Sequence, residues 1–165
     1  MHLCGDFNQV ANVLAPGSYH NIVSWLTVLH FDRRTDLFER CYKLLRPGGT
    51  FYAADFFALN QLTVIEKQVL RDEVYCHTLP SLATYTKQLE SAGFEVVEVD
   101  DQTNEWKALT AKRVHEWDAR QEEIVGLAGE SVHAEMGTFY QSISDLYAGG
   151  NLGGLKIIAR KPPGW

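Results

Sequence analysis

The chain has 165 residues, of which 45% are hydrophobic and 22% charged, and a formal net charge of −6. This balance excludes intrinsic disorder, and the acidic excess argues against nucleic acid held on a broad basic face. No apolar run approaches the ~20 residues of a membrane span, and Met1-His2-Leu3-Cys4-Gly5-Asp6 lacks the basic and apolar parts of a secretory signal.

Asn21-Ile22-Val23-Ser24-Trp25-Leu26 is a continuous apolar run, as in a parallel strand covered on both faces. Asp32 is placed to cap the next helix, where Leu37, Phe38, Cys41, Leu44 and Leu45 form one stripe. Arg46-Pro47-Gly48-Gly49 ends that helix, because proline cannot continue it and glycine supplies the turn. Phe51-Tyr52-Ala53-Ala54-Asp55 reads as a second strand with Asp55 at its carboxyl end. Helical patterns follow over 62–75 and from Pro80-Ser81 to a stop at Gly93. A third strand covers 94–99. One long helix is predicted over 103–127, with exposed Lys112–Glu116 and Glu116–Arg120 pairs. A last helix spans 131–147. The glycine-rich stretch 149–154 is read as a hairpin-like return at a sheet edge into a final strand over 155–160. The order β-α-β-α-α-β-α-α-β predicts an α/β layered sheet, parallel at its start.

Cys4, Cys41 and Cys76 are an odd, widely spaced set without a C-x-x-C, which points to reduced thiols and a cytoplasmic setting. His2, Cys4, His30, Cys41, Cys76 and His77 show no recurring ligand spacing, so no metal site is expected.

The segment Tyr19-His20-Asn21-Ile22-Val23-Ser24-Trp25-Leu26-Thr27-Val28-Leu29-His30-Phe31 carries a familiar pattern. So does Leu44-Leu45-Arg46-Pro47-Gly48-Gly49-Thr50-Phe51, with Ala54-Asp55 after it. They resemble the fourth and fifth strands of Rossmann-like, class I S-adenosylmethionine-dependent methyltransferases. Ser91-Ala92-Gly93-Phe94-Glu95 resembles the start of their sixth strand. His30 and Trp106 further resemble positions of the small-amine N-methyltransferases that act on phosphoethanolamine or on sarcosine and dimethylglycine. The resemblance implies a partial α/β sheet in the order 4-5-7-6 with flanking helices. The first three strands, with their G-x-G loop, are absent. Strand four would then be an exposed apolar edge. The chain is read as a single incomplete domain over 1–165, the carboxyl-terminal half of a methyltransferase. Helices at about 62–77 and 103–127 would be its lid and substrate wall.

The resemblance implies S-adenosylmethionine as cofactor, with Asp6 and Phe7 at the adenine and Ser24 and Trp25 as further cofactor contacts. A carboxylate suits the adenine amino group, which only donates. His30 is the candidate base, since an amine must free its lone pair before it is methylated. Its plainer role is capping the helix near Asp32. Asp55, Phe56, Tyr75, His77, Trp106 and Arg113 are candidate substrate residues. Arg113 shares a helical face with Trp106, Leu109, Trp117 and Ile124, where a cation needs an anion, a structural pair or a path to water. Trp25, Phe56, Phe57, Tyr75 and Trp106 are the aromatics available to cage a methylated ammonium.

The expected function is methyl transfer to a small molecule, an amine in the first instance, with this chain inactive alone. The expected partners are that acceptor and a second copy or partner chain over the strand-four edge, with neither nucleic acid nor membrane. The alternative is a non-catalytic methyltransferase-like subunit that docks a partner through that edge.

Overall fold

The computed structural model describes residues 4–164; His2, named above with the metal candidates, lies outside them. A short helix α1 (Phe7–Val10) precedes strand β1 (Tyr19–Trp25) and a 3-10 turn (Val28–His30). Helix α2 (Arg34–Leu44) leads into strand β2 (Leu45–Ala58), followed by helices α3 (Val64–Asp72) and α4 (Leu82–Ser91). Strand β3 (Glu95–Asp101), helices α5 (Thr103–Ala119), α6 (Gln121–Ala128) and α7 (Glu130–Gly149), and strand β4 (Leu152–Arg160) complete the chain. The sheet order is β1-β2-β4-β3, with β1 parallel to β2 and β4 antiparallel to both neighbours. This is the expected 4-5-7-6 arrangement. Among the described residues no helix is long and apolar enough to cross a membrane.

Local chemistry sets several boundaries. Thr63 and Glu66 form a reciprocal capping box at the start of α3, and Ser81 caps α4. Gly93, at φ +100°, turns the chain out of α4. Lys161 closes the carboxyl end of α2, donating from Nζ to the carbonyls of Tyr42 and Leu45 at 2.8 Å each. Across 46–49 the β1–β2 register jumps from Tyr19↔Leu45 to Asn21↔Thr50, so the proline-glycine stretch bulges out of the ladder.

Two apolar layers cover the sheet. Phe38, Phe51, Ala53, Phe57, Tyr85, Leu89, Leu155 and Ile157 fill the side under α2 and α4. Phe56, Leu62, Leu70, Leu146, Tyr147 and Leu152 fill the side under α3 and α7. The outer edge of β1 carries exposed Val23 and Trp25, 67% and 63% accessible, so the expected apolar edge is present among the described residues.

Four expectations are corrected. Asp32 does not cap α2; Arg33 holds that position and makes no side-chain cap. The helix over 103–127 is two helices broken at Arg120, which leaves helical dihedrals and pairs forward with Glu123 at 2.9 and 2.8 Å rather than back to Glu116. The Lys112–Glu116 pair is present at 3.3 Å. Asp55 lies within β2, not at its end, because β2 runs on to Ala58. Residues 149–154 are not an edge hairpin: α7 runs through Gly149, Gly150 turns left-handed at φ +79°, and Gly153 and Gly154 belong to interior strand β4.

Gly153 faces Phe57 across the β2–β4 ladder, and a Cβ there would stand 2.4 Å from the Phe57 ring. The ring is buried in a close-packed layer. Gly153→Ala is expected to cost about 1–3 kcal/mol, read as a lower urea midpoint. An unchanged midpoint would show that the ring relocates freely.

Candidate active site

The carboxyl ends of β1 and β2 meet the 3-10 turn and the segment 73–79, where open α/β sheets place ligands. Beside β1 lies a cleft of about 170 Å³, lined by Phe7, Ile22, Ser24, Val28 and Phe31 among others. Two of the expected cofactor residues, Phe7 and Ser24, thus share one apolar cleft. Asp6 adjoins it at the start of α1, where Oδ1 accepts from the Asn8 amide at 2.9 Å. Trp25 is not among the lining residues and stands largely exposed on the β1 edge.

His30 is exposed at the end of the 3-10 turn, and it does not cap α2, whose cap position is held by Arg33. Its Nδ1 lies 3.3 Å from the Tyr75 carbonyl oxygen. A carbonyl only accepts, so a hydrogen bond here requires the Nδ1–H form of the neutral ring, the form that leaves the Nε2 lone pair free. Tyr75 is 72% exposed and takes φ +55°, and Leu26 just after β1 takes φ +47°. Both are non-glycine residues in the left-handed region, one on each side of the His30 turn.

Beneath this surface is a polar group inside the apolar layer. Asp55 is fully buried, and burial pushes its carboxyl from 3.8 up to about 7, against the opposing Phe56 amide, Arg34 charge, Leu29 amide and Tyr85 hydroxyl. Its Oδ1 accepts from the Phe56 amide at 2.9 Å. Tyr85 stands close enough to favour the carboxylate, yet neither its hydroxyl nor Asp55 Oδ2 closes a hydrogen bond of ordinary length. Burial and the Asp55 charge in turn push the Tyr85 phenol up.

The other substrate candidates divide. Tyr75 and His77 are exposed on the segment that faces His30. Phe56 is buried and packs edge-on against Trp106 at 6.0 Å and Tyr147 at 5.8 Å. Phe57 belongs to the layer on the opposite side of the sheet, and Trp25 to the open edge. The five aromatics therefore do not form a cage; strand alternation sends them to different faces. Arg113 is exposed, with its guanidinium 5.5 Å over the Tyr140 ring, so of the three expectations it follows the path to water, with an aromatic face beside its charge.

Sequence reasoning missed Arg34 and Tyr85. Arg34 is 4% exposed, yet in Asp32-Arg33-Arg34 it reads as one more charged residue at a helix start. Tyr85 reads as plain core from its helical spacing. No periodicity distinguishes a buried guanidinium from a solvated one.

No family model matches the chain. A phosphoethanolamine N-methyltransferase from Triticum aestivum is 28% identical over 108 residues, 66% of this chain and 22% of that protein. A glycine/sarcosine/dimethylglycine N-methyltransferase from Actinopolyspora halophila is 28% identical over 133 residues, 80% of this chain and 23% of that protein. The chain thus spans less than a quarter of the length of these curated relatives. Among solved structures, a protein provisionally assigned as a sarcosine dimethylglycine methyltransferase from Galdieria sulphuraria superposes with TM-score 0.82 at 20% identity, over 98% of this chain and 58% of that one. A Haemonchus contortus phosphoethanolamine N-methyltransferase, solved with phosphomonomethylethanolamine and S-adenosylhomocysteine, superposes with TM-score 0.79 at 18% identity, over 92% of this chain and 35% of that one.

The raised Asp55 fixes a pH dependence. Between pH 3.8 and about 7 the folded chain keeps a proton on Asp55 that the unfolded chain has released. Its contribution to stability therefore falls as pH rises through that window. Asp55→Asn keeps the shape and removes the charge. Its stability relative to wild type is expected to grow by about 2–4 kcal/mol from pH 4 to pH 8 in urea unfolding; a flat difference would refute the burial argument.

In sheet order the chain has part of the Rossmann-like methyltransferase fold, and in sequence it is similar to small-amine N-methyltransferases.

Proposed function

We propose that this chain is the carboxyl-terminal part of an S-adenosylmethionine-dependent methyltransferase that acts on a small-molecule acceptor, specifically an amine. The observation that carries the reading is His30: an exposed imidazole at the carboxyl end of the sheet, with Nε2 free, beside an apolar cleft. The similarity to enzymes named for amine substrates supports it.

In this reading the cofactor supplies an electrophilic methyl group on sulfur. Phe7 and Ser24 would line the adenine cleft and Asp6 would accept from the adenine amino group; Trp25, off the cleft on the β1 edge, is left out. With the cofactor bound, its methyl group would pass in line to the amine nitrogen, the sulfur keeping the bonding electrons, and His30 Nε2 would take the amine proton. Tyr75, His77 and Trp106 wall the acceptor. Asp55 and Phe56 shape the floor from within the core, without direct contact. Arg113, engaged with Tyr140, is left out.

The domain is read as incomplete over 1–165, with a further chain segment, a second copy or a partner against the β1 edge. The setting is read as the cytoplasm, supported by Cys41 and Cys76, which are buried as free thiols. The alternative of a non-catalytic docking subunit is not favoured, since the relatives are named as methyltransferases.

Titrating the isolated chain with S-adenosylmethionine in a calorimeter is expected to give little or no heat of binding, because the glycine-rich loop that holds the rest of the cofactor is missing. Micromolar affinity would contradict the half-site reading. Joined to the first three strands of the Actinopolyspora relative, the chain is expected to transfer a labelled methyl group to a small amine. His30→Gln in that chimera is expected to lower the rate about 10²–10⁴-fold with cofactor affinity kept. A His30→Gln chimera that stays fully active would remove His30 as the base.

A further inference from the structure

Arg34 is the first residue of α2, buried, and free of any carboxylate within ion-pair distance among the described residues. Its guanidinium is instead divided between two loops. Nη2 donates to the Leu29 carbonyl at 3.2 Å and also to the Thr78 carbonyl, while Nη1 donates to Thr78 Oγ1 at 3.0 Å. Leu29 adjoins His30, and Thr78 lies three residues beyond Tyr75. Cys76 Sγ reaches the same Thr78 carbonyl at 3.3 Å, and the Cys76 amide returns to the Leu70 carbonyl of α3 at 2.8 Å.

The two loops joined by Arg34 are thus the two that meet at His30 Nδ1 and the Tyr75 carbonyl. A planar fork with several donors can hold two carbonyls and a hydroxyl at fixed angles; a single ammonium cannot. Among the described residues no other hydrogen bond ties Thr78 to the His30 turn, and the 3.3 Å contact to Tyr75 rests on an exposed pair.

We propose that Arg34 is a positioning residue for His30, holding the Tyr75 carbonyl against Nδ1 and so making Nε2 the basic nitrogen. This rests on the reading of His30 as the base, but its test needs neither cofactor nor activity. In long-range ¹H–¹⁵N spectra of the labelled 165-residue chain above the imidazole's titration range, His30 is identified by its loss in His30→Gln. Wild-type His30 is expected in the Nδ1–H form. Arg34→Met is expected to move the majority to the Nε2–H form, and Arg34→Lys to move it part of the way, with the β2 and β4 amides unchanged.

Wild-type His30 already in the Nε2–H form overturns the proposal, as does a folded Arg34→Met chain that keeps the Nδ1–H form. Should Arg34→Met fail to fold, Arg34→Lys decides: an unchanged tautomer there overturns it as well. Failure of the functional reading is separable. A tautomer that depends on Arg34, in a chain whose chimera survives His30→Gln, upholds the positioning role and removes only the catalytic one.

Discussion

Taking the Asp55 carboxyl out of water disfavours its charged form, and the groups around it are arranged to oppose that cost. Asp55 projects into the same layer as Phe51, Ala53 and Phe57, where strand alternation would otherwise place an apolar side chain. The Phe56 amide, the Leu29 amide, the Tyr85 hydroxyl and the Arg34 charge all favour the carboxylate, and burial still outweighs them. Leu29 is thereby engaged on both sides: its amide faces Asp55 and its carbonyl accepts from Arg34. The turn that presents His30 thus lies directly over this polar group, with its Leu29 carbonyl held by Arg34. Replacing Asp55 would relieve a buried charge and loosen that turn together, which is the usual signature of a polar group kept for geometry.

The sheet order explains why the site is open on one side. β2 and β4 are interior and carry nearly all the fully buried strand residues, while β1 pairs only with β2 among the described residues. The cleft beside Phe7 and Ser24 has an apolar floor from Val28 and Phe51. In the proposed complete domain, the outer edge of β1 would receive the strand that brings the cofactor loop. The exposed Val23 and Trp25 on that edge would then be covered.

Much of the fold was legible because its signals are local. The apolar runs of β1 and β2, the Ser81 cap and the Gly93 turn each come from a few adjacent residues whose backbone chemistry has one solution. The break at Arg120 was not legible, because no glycine or proline marks it and the choice between Glu116 and Glu123 is decided in three dimensions. Gly153 and Gly154 misled for a related reason. Adjacent glycines suggest a turn, but here they leave room for the Phe57 and Trp106 rings against an interior strand. Of the site, His30 was legible from the motif it closes. Arg34 was not, since its burial depends on a segment more than forty residues away.

Leu26 and Tyr75 give the arrangement its stiffness. Each holds a left-handed backbone that costs a non-glycine residue about 1–3 kcal/mol and persists only when its surroundings over-determine it. Leu26 is fixed by its amide on the Ala54 carbonyl at 2.8 Å, one residue before Asp55. Tyr75 is fixed between the return of Cys76 to α3 and the hold of Arg34 on Thr78. Leu26 precedes the His30 turn in the chain and Tyr75 meets His30 through its carbonyl. In the proposed function, a base aimed by rigid neighbours would lose little entropy when an acceptor binds, so the backbone cost would be met in folding and would not fall on each turnover.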